Sequence, residues 1–423
     1  MLRRVFFILL ALGLLVALAA LALVAINLRG EDKLPPTPTP FEVTQALVER
    51  GRYLARAGHC AGCHTVRGGA AYAGGLGIGT PFGTIYSSNL TPDEHYGIGS
   101  WSADHFWRAM HNGRSKDGHL LYPAFPYPNF TRLTREDSDA LYAFLRTVPP
   151  YAQPGTPNAL RFPYNTQLAV AVWRALFFKP GVYQNDASKS AEWNRGAYLV
   201  EGAAHCIACH GARNSLGATL DQRGLSGGLI PGENWYAPAL NASSQAGVAD
   251  WKPEEIVALL KNGTSARGSV MGPMADVVWG STQHMSNEDL HAIAQYLKQL
   301  PQTPPPPKPP GPLAREPSVM ARGSAIYDQR CAYCHGDKGE GAPGAYPPLA
   351  GNRAVNMETP ANLVQILRHG GFLPTTAGNP RPYGMPPFGP VLDDQDIAAV
   401  LTFVRGSWGN DAPPVGMADA MRR

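Results

Sequence analysis

The amino-acid sequence predicts a mainly α-helical protein, in which three tandem domains of short helices follow one N-terminal transmembrane helix. Three observations support this fold class: a long uncharged run near the N-terminus, a five-residue cysteine motif that occurs three times, and helix-like segments that recur in the same order around each motif. A chain of 423 residues is long enough for about three domains of ordinary size. Its 46 glycines and 40 prolines indicate short elements joined by many loops.

The first element, residues 5–27, is predicted to be a transmembrane anchor or a signal sequence. Residues 5–26 carry no charged side chain. At about 1.5 Å per residue, this run can cross a hydrocarbon core of roughly 30 Å, and it exceeds the roughly 7–15 apolar residues of a signal peptide. Sequences that resemble a cleavage site lie inside the apolar run, which favours an uncleaved anchor. Basic residues flank the run on both sides, so charge does not set its orientation.

All six cysteines belong to three copies of the motif C-x-x-C-H. This motif is typical of haem c attachment, in which both thiols form thioethers and the histidine binds the iron. A thioredoxin-like pair would occur once, a zinc site would combine two C-x-x-C units in one domain, and disulfides would not require the histidine. We therefore expect three covalently bound haem c groups. They are attached through Cys60 and Cys63, Cys206 and Cys209, and Cys331 and Cys334, with His64, His210 and His335 as proximal ligands.

The residues around each motif repeat as well. An Arg-Gly pair precedes each motif on a predicted first helix, at 50–51, 195–196 and 322–323. Apolar residues spaced by three and four, followed by glycine, predict a second helix. Its three copies are 101–113, 251–263 and 358–370.

A third helix is predicted at the end of each repeat, within 133–148, 285–300 and 392–408. Each copy opens with a capping pattern. The pairs are Thr134 with Asp137, Ser286 with Asp289, and Asp393 with Asp396. Three short helices and long loops around a haem correspond to the cytochrome c fold, with domains at 43–150, 192–302 and 318–410.

Two kinds of segment join these domains. Proline-rich stretches at 34–40 and 303–317 are predicted to act as stiff tethers. Residues 151–191 form an apolar, aromatic connector with a helix expected near residues 169–178. We expect this connector to pack on the first and second domains, and a second membrane contact is the alternative.

A methionine in the loop before the last helix is the usual distal ligand of haem c, and it raises the reduction potential. The second domain places Met274 there, with Met271 as a less favoured substitute, and the third domain places Met385 there. Methionines that only fill core gaps are the alternative.

In the first domain, Phe125 precedes Pro126 as Met385 precedes Pro386, and phenylalanine cannot bind iron. The first haem is therefore either five-coordinate or bound by another side chain. The candidates are Met110, His111, His119, His95 and His105.

On these motifs, the chain resembles the three-haem cytochrome c subunits of membrane-bound periplasmic dehydrogenases. The likeness runs from about residue 43 to 410 and is specific in PFGTIYSSNLTPD (81–93), LYPAFPYP (121–128), WNRGAYLVEG (193–202) and VRGSWGN (404–410). The resemblance implies a catalytic dehydrogenase partner (a quinoprotein, flavoprotein or molybdenum hydroxylase) and delivery of electrons to quinone or a terminal oxidase. It also implies a place in the cytoplasmic membrane with the haem domains on the periplasmic side. The alcohol and gluconate subfamilies typically have methionine at the position of Phe125, which favours the molybdenum-hydroxylase relatives.

We therefore expect an electron-transfer subunit without catalytic activity of its own. The sequence contains no nucleotide-binding glycine loop and no recognisable flavin, pyrroloquinoline or molybdenum site. The net charge of +4, without a run of basic residues, indicates no nucleic-acid partner. The alternatives are a haem enzyme or small-ligand binder with an open site at the first haem, and a free-standing membrane cytochrome.

Overall fold

The computed structural model describes residues 2–31, 33–35, 37, 40–220, 224–230, 232–304 and 315–421. Helices dominate these residues, and short antiparallel strand pairs link some of the loops, so the mainly α-helical prediction is confirmed. The chain divides into two compact units. The first comprises Met1–Ala55, Cys63–Gln184 and Ser215–Ala218, and the second comprises Arg56–Gly62, Asn185–Asn214 and Thr219–Arg423.

The first unit begins with helix α1 (Leu2–Asn27). Its stretch Arg3–Asn27 is long and apolar enough to cross a membrane. The large apolar side chains between Val5 and Ile26 are almost all exposed, as expected for a helix that faces lipid rather than a protein core.

The helices of the first repeat are α2 (Gln45–Ala57), α3 (Cys60–His64), α4 (Ala103–Asn112), α5 (Tyr127–Phe130) and α6 (Arg135–Leu145). The strands β1 (Gly77–Thr80), β2 (Gly83–Tyr86) and β3 (Ala159–Leu160) form an antiparallel sheet in that order. As predicted, α4 ends at Gly113, whose φ of 59° suits glycine. The Thr134 hydroxyl accepts a hydrogen bond from the Asp137 N–H (3.2 Å) and starts α6.

The connector contains helix α7 (Gln167–Phe177), close to the predicted position. It packs on the first repeat: Gln167 Oε1 accepts from the Leu120 N–H (2.7 Å), and the Arg174 guanidinium donates to the Asn112 carbonyl (2.6 Å). The Trp173 indole donates to the Leu216 carbonyl (2.9 Å), which also belongs to the first unit.

The second unit contains the other two sets of helices. The earlier set comprises α8 (Ala191–Tyr198), continued by a π-helical turn Leu199–Ala203, α9 (Ile207–His210), α10 (Pro253–Asn262), α11 (Pro273–Gly280), a 3-10 turn Thr282–His284 and α12 (Asn287–Lys298). The later set comprises α13 (Pro317–Arg330), α14 (Ala332–His335), α15 (Arg353–Asn356), α16 (Ala361–His369), α17 (Asp394–Gly406) and α18 (Met417–Ala420). Three antiparallel strand pairs complete the second unit. They are β4 (Gly228–Leu229) with β5 (Tyr236–Ala237), β6 (Thr264–Ser265) with β7 (Gly268–Ser269), and β8 (Gly371–Phe372) with β9 (Gly384–Met385).

The two sets of helices in the second unit contact each other. The Asn362 side chain exchanges two hydrogen bonds of 2.8 Å with the backbone of Tyr236. Arg353 forms an ion pair with Asp250 at 3.0 Å. Residues 305–314 of the predicted proline-rich linker, and residues 36, 38 and 39 of the earlier one, lie outside the described residues, so their role as tethers stays a prediction.

The repeated Arg-Gly pair marks the crossing of the first and last helices of each repeat. A Cβ atom at Gly51, Gly196 or Gly323 would lie 1.8, 2.0 or 2.3 Å from the carbonyl oxygen of Ala140, Ala292 or Ala399. Only glycine therefore permits these helices to approach so closely.

The preceding arginine reaches across the same crossing. Arg50 pairs with Asp137 at 2.5 Å, Arg195 with Asp289 at 2.7 Å, and Arg322 with Asp396 at 2.8 Å. Aspartate thus stands at the fourth position of each capping pattern because its carboxylate binds an arginine of the other helix.

Candidate haem-binding sites

Each C-x-x-C-H motif lies on a short helix. These helices are α3, α9 with Cys206 just before it, and α14 with Cys331 just before it. Because the two cysteines are three residues apart, close to one helical turn, both thiols lie on one side of the helix. Each of the six cysteines is half-buried or exposed. The one-turn spacing therefore suits two thioether bonds to a single porphyrin.

Each of the three motif histidines forms the same kind of hydrogen bond, from its ring to a backbone carbonyl. His64 Nδ1 lies 2.7 Å from the Ser88 carbonyl, His210 Nδ1 lies 2.7 Å from the Pro238 carbonyl, and His335 Nδ1 lies 3.1 Å from the Pro347 carbonyl. A carbonyl can only accept, so Nδ1 carries the proton and the Nε2 lone pair is available to a metal. This orientation of a ligating histidine by its second nitrogen is typical of metal sites.

The same histidines are held in the neutral form. Burial lowers the pKa of His64, His210 and His335, and the carbonyl hydrogen bond opposes this effect only in part. A neutral imidazole is the form that binds iron.

The cysteines do not have the character of reactive thiolates. Burial, followed by the neighbouring cysteine of the motif, raises the pKa of Cys206 to about 12 and that of Cys331 to about 11. Catalytic redox cysteines instead have lowered pKa values. The thioredoxin-like interpretation is therefore disfavoured for the second and third motifs.

Ser88, Pro238 and Pro347 are functional residues that sequence reasoning missed. They follow their motif histidines by 24, 28 and 12 residues, so no fixed interval marks them. They also contribute only a backbone carbonyl, which any residue possesses. The accepting carbonyl belongs to a proline in the second and third repeats and to a serine in the first.

The predicted distal methionines are both half-buried. Met274 lies in the first turn of α11 and packs against a small cluster that contains Val270, Ala275 and Val278. Met385 lies in β9, opposite Gly371 of β8, and packs against the core of the third repeat.

Phe125 is half-buried among aromatic rings. Its ring centroid lies 5.5 Å from that of Phe130 and 6.4 Å from that of Tyr127. Phe125 therefore packs against the aromatic side chains of the helix that follows it.

Three of the five alternative ligands predicted for the first site have polar or stacking partners. His119 is exposed, with Nδ1 2.6 Å from Asp117 and 2.8 Å from Ser115. His105 helps to cap α4 through Ser102 at 2.8 Å. His111 is buried and stacks on Trp107 with the centroids 4.4 Å apart. Met110 is buried in the core, and His95 is exposed.

These residues fit a haem better than a bare metal ion. Among the described residues, no three His, Cys, Asp or Glu side chains are grouped in a way that could hold a metal ion. A haem iron receives four ligands from the porphyrin and requires only one or two from the protein. A pair of accessible thiols beside one oriented, neutral histidine supplies this set.

Comparisons with known proteins agree with this geometry. A family model described as cytochrome c matches residues 48–149 and 320–408, and a model described as cytochrome c oxidase, cbb3-type, subunit III, matches residues 191–297. The chain is 42% identical to the cytochrome c subunit of the quinone alcohol dehydrogenase of Gluconacetobacter polyoxogenes, over 92% of this chain and 86% of that protein. The chain belongs to the cytochrome c subunits of dehydrogenases.

Other relatives of this cytochrome c subunit serve different dehydrogenases. It is 38% identical to the gluconate 2-dehydrogenase cytochrome c subunit of Pantoea cypripedii, over 88% of each chain. It is 40% identical to one of the subunits of the nicotinate dehydrogenase of Pseudomonas putida, over 93% of this chain but only 33% of that protein. Among solved structures, the thiosulfate dehydrogenase TsdBA of Marichromatium purpuratum aligns over 88% of this chain and 72% of that chain with 19% identity and a TM-score of 0.17, too low to inform the fold. Cytochrome c domains bind haem c covalently, and the relatives imply a catalytic dehydrogenase partner for this cytochrome.

Proposed function

We propose that this cytochrome carries three haem c groups and passes electrons from a catalytic dehydrogenase subunit to quinone or a terminal oxidase. The observation that carries the proposal is the hydrogen bond from Nδ1 to a backbone carbonyl, which occurs at His64, His210 and His335 alike. Three equivalent sites in one chain suit a relay. When bound, haem c supplies reversible one-electron chemistry.

The protein's own residues attach and orient each group. The six motif cysteines would form the thioethers, and the three motif histidines would bind the iron through Nε2. Met274 and Met385 would supply the second protein ligand at the second and third sites, where a thioether would raise the reduction potential. Their position between the second and third helices of each repeat supports this role.

Contacts in the second unit support electron exchange between the groups bound at Cys60 and Cys206. The residues just before these two cysteines meet: His205 Nε2 lies 3.0 Å from the Gly58 carbonyl. The Ser281 hydroxyl donates to the neighbouring Ala57 carbonyl at 2.9 Å. Because both cysteines lie so close to this contact, the groups attached to them would be near neighbours.

A second contact supports exchange between the second and third sites. A Cβ atom at Gly371 would lie 3.5 Å from the Met271 methyl group. Gly371 pairs with Met385 across strands β8 and β9. The methionine loops of these two repeats therefore adjoin each other, and Met271 lies where they meet.

The test begins with haem content and potentials of the purified, haem-loaded chain. We expect three haems per chain by pyridine haemochrome. Met274→Leu and Met385→Leu should each lower the potential of one haem and let its ferrous form bind carbon monoxide. Met320→Leu, at an equally half-buried methionine of α13, is the matched control and should change neither property. Two haems per chain, or unchanged potentials in both ligand variants, would contradict the proposal.

Helix α1 bears on where in the cell the cytochrome works. We propose that α1 anchors the chain in the cytoplasmic membrane and that the haem domains lie on the periplasmic side, as the family resemblance implies. The dithionite-reduced chain in lipid nanodiscs should then be oxidised by ubiquinone-1, which takes up the electrons and two protons to become ubiquinol-1. If ferricyanide oxidises the ferrous haems but ubiquinone-1 does not, quinone is excluded as the acceptor and a terminal oxidase takes its place.

A second candidate function rests on Phe125. Because Phe125 packs among aromatic rings and the nearby histidines have other partners, the first haem would keep an open position for a small ligand. One carbon monoxide per unsubstituted ferrous chain is expected in this case. A spectrum with three low-spin haems that ignore carbon monoxide would remove the candidate and leave the relay unchanged.

A further inference from the structure

One face of α7 is apolar and exposed. Leu168, Val172 and Leu176 follow one another at intervals of four residues, so they form a single stripe. Their exposed fractions are 66%, 42% and 64%. The opposite face, with Val170 and Arg174, is buried against the first haem domain. Because the other face already packs on the protein, the exposed apolar stripe is expected to have a partner of its own.

The end of α1 shows which surface lies beside this stripe. Asn27, in the last turn of α1, donates to the Ala171 carbonyl in the middle of α7 (3.0 Å) and accepts from Arg174 Nε (2.9 Å). Leu23, one turn earlier, is half-buried, whereas the large apolar side chains before it are exposed. The middle of α7 therefore lies at the level where α1 leaves the hydrocarbon region.

Contacts beyond α1 hold this arrangement. Arg29 donates to the Phe178 carbonyl at 2.6 Å, just after α7. Glu31 forms ion pairs with Arg114 at 2.8 Å and Arg108 at 3.7 Å, and both are half-buried residues of the first haem domain. The position of α7 along the axis of α1 is thus set by hydrogen bonds and ion pairs as well as by apolar packing.

We propose that the exposed face of α7 lies in the lipid surface as a second membrane contact. The stripe lies on the face of α7 opposite Arg174, and the same helix is held by hydrogen bonds to the end of α1. Its length, one side chain per turn over three turns, suits a helix that lies flat at the boundary between headgroups and acyl chains. Lys179, exposed just after the helix, can reach anionic headgroups. This contact would hold the first haem domain at a constant height above the bilayer. The inference rests on the proposed anchoring by α1.

The test uses the full haem-loaded chain in nanodiscs, with a bimane fluorophore on one introduced cysteine. The native cysteines are consumed by thioethers, so each variant carries one label. The variants are Val172→Cys in the stripe, Leu15→Cys in α1, and Val391→Cys as the matched control, because Val391 is a 60% exposed valine of the second unit. Fluorescence in nanodiscs of ordinary phosphatidylcholine is divided by that in nanodiscs of phosphatidylcholine brominated on its acyl chains. Quenching by haem is the same in both and cancels from the ratio.

We expect bromine to remove at least half of the fluorescence at positions 15 and 172 and to leave position 391 unchanged. Quenching at 15 but not at 172 would overturn the inference, because a protein surface would then cover the stripe. Equal quenching at 172 and 391 would also overturn it, since the effect would not be specific to α7. Absence of quenching at 15 would refute the anchoring itself, and the inference with it. Haem content equal to that of the unsubstituted chain verifies that each variant is folded.

Discussion

Helix propensity predicts that Gly196→Ala stabilises the protein, whereas the close helix crossing at Gly196 predicts that it destabilises the protein. Gly196 lies in α8, where an exposed glycine-to-alanine change would stabilise a helix by about 1 kcal/mol. A Cβ at this position, however, would lie 2.0 Å from the Ala292 carbonyl oxygen and 2.9 Å from the Tyr296 Cβ. A carbon and an oxygen normally stay roughly 3.2 Å or more apart, so α8 and α12 must separate by about 1 Å.

The steric cost of Gly196→Ala can be bounded. Overpacking of a well-packed contact typically costs about 1–3 kcal/mol, and the upper value applies here because the obstacle is backbone. After the propensity gain is subtracted, we expect a net loss of about 2 kcal/mol. The population of the locally open state should therefore rise roughly thirtyfold, since about 1.4 kcal/mol corresponds to a factor of ten.

Native-state hydrogen exchange of the haem-loaded chain measures this opening locally, which avoids a two-state assumption for a multidomain protein. Peptides from α8 and α12 should exchange faster in Gly196→Ala. Gly155→Ala is the matched control, because a Cβ at Gly155 would meet no atom within 4 Å. Equal or slower exchange of α8 in Gly196→Ala would refute the steric argument.

Three further predictions use the same exchange assay. A double-mutant cycle of Arg195→Ala and Asp289→Ala should give a coupling of about 1 kcal/mol, because the ion pair is bidentate and partly buried; a coupling near zero would reduce it to a surface contact. Arg405→Lys should destabilise α17 by about 2 kcal/mol, because the buried guanidinium donates to three backbone carbonyls that an ammonium group cannot all reach; unchanged protection would show that those carbonyls find other donors. The Ser115 hydroxyl, which donates to Asp117, lowers the pKa of Asp117 to about 2. The carboxylate therefore stabilises the turn at 115–119 above about pH 4, and this contribution is lost as the pH falls from about 4 to about 2. Asp117→Asn should flatten that pH dependence, and a profile that keeps its slope would point to another acid.

Much of the fold was predictable because its signals are local in sequence. The spacing of apolar residues and the glycine that follows it located α4 and α10, and the capping patterns located the start of α6, α12 and α17. In each case, residues within four positions of one another determine the structure. The aspartates of the capping patterns were the exception, since their choice over glutamate depends on an arginine about ninety residues away in the first two repeats.

The chemistry of the haem sites was likewise set within five consecutive residues. Two thiols and an imidazole on one turn of helix suffice to attach a porphyrin and bind its iron, whatever the rest of the chain does. The amino-acid sequence therefore determined the cofactor type and the family, and it predicted the attachment residues and the proximal ligands. It also identified Phe125 as an exception among the distal positions.

Only the tertiary structure decided which distant groups complete these sites. The carbonyls of Ser88, Pro238 and Pro347 orient the histidines, but a backbone carbonyl has no sequence signature. The contact of α7 with the end of α1 joins residues about 145 positions apart, and nothing in either segment marks its partner. Such contacts depend on how the whole chain folds, because hydrogen bonds and packing act between atoms that are close in space, regardless of their separation in sequence.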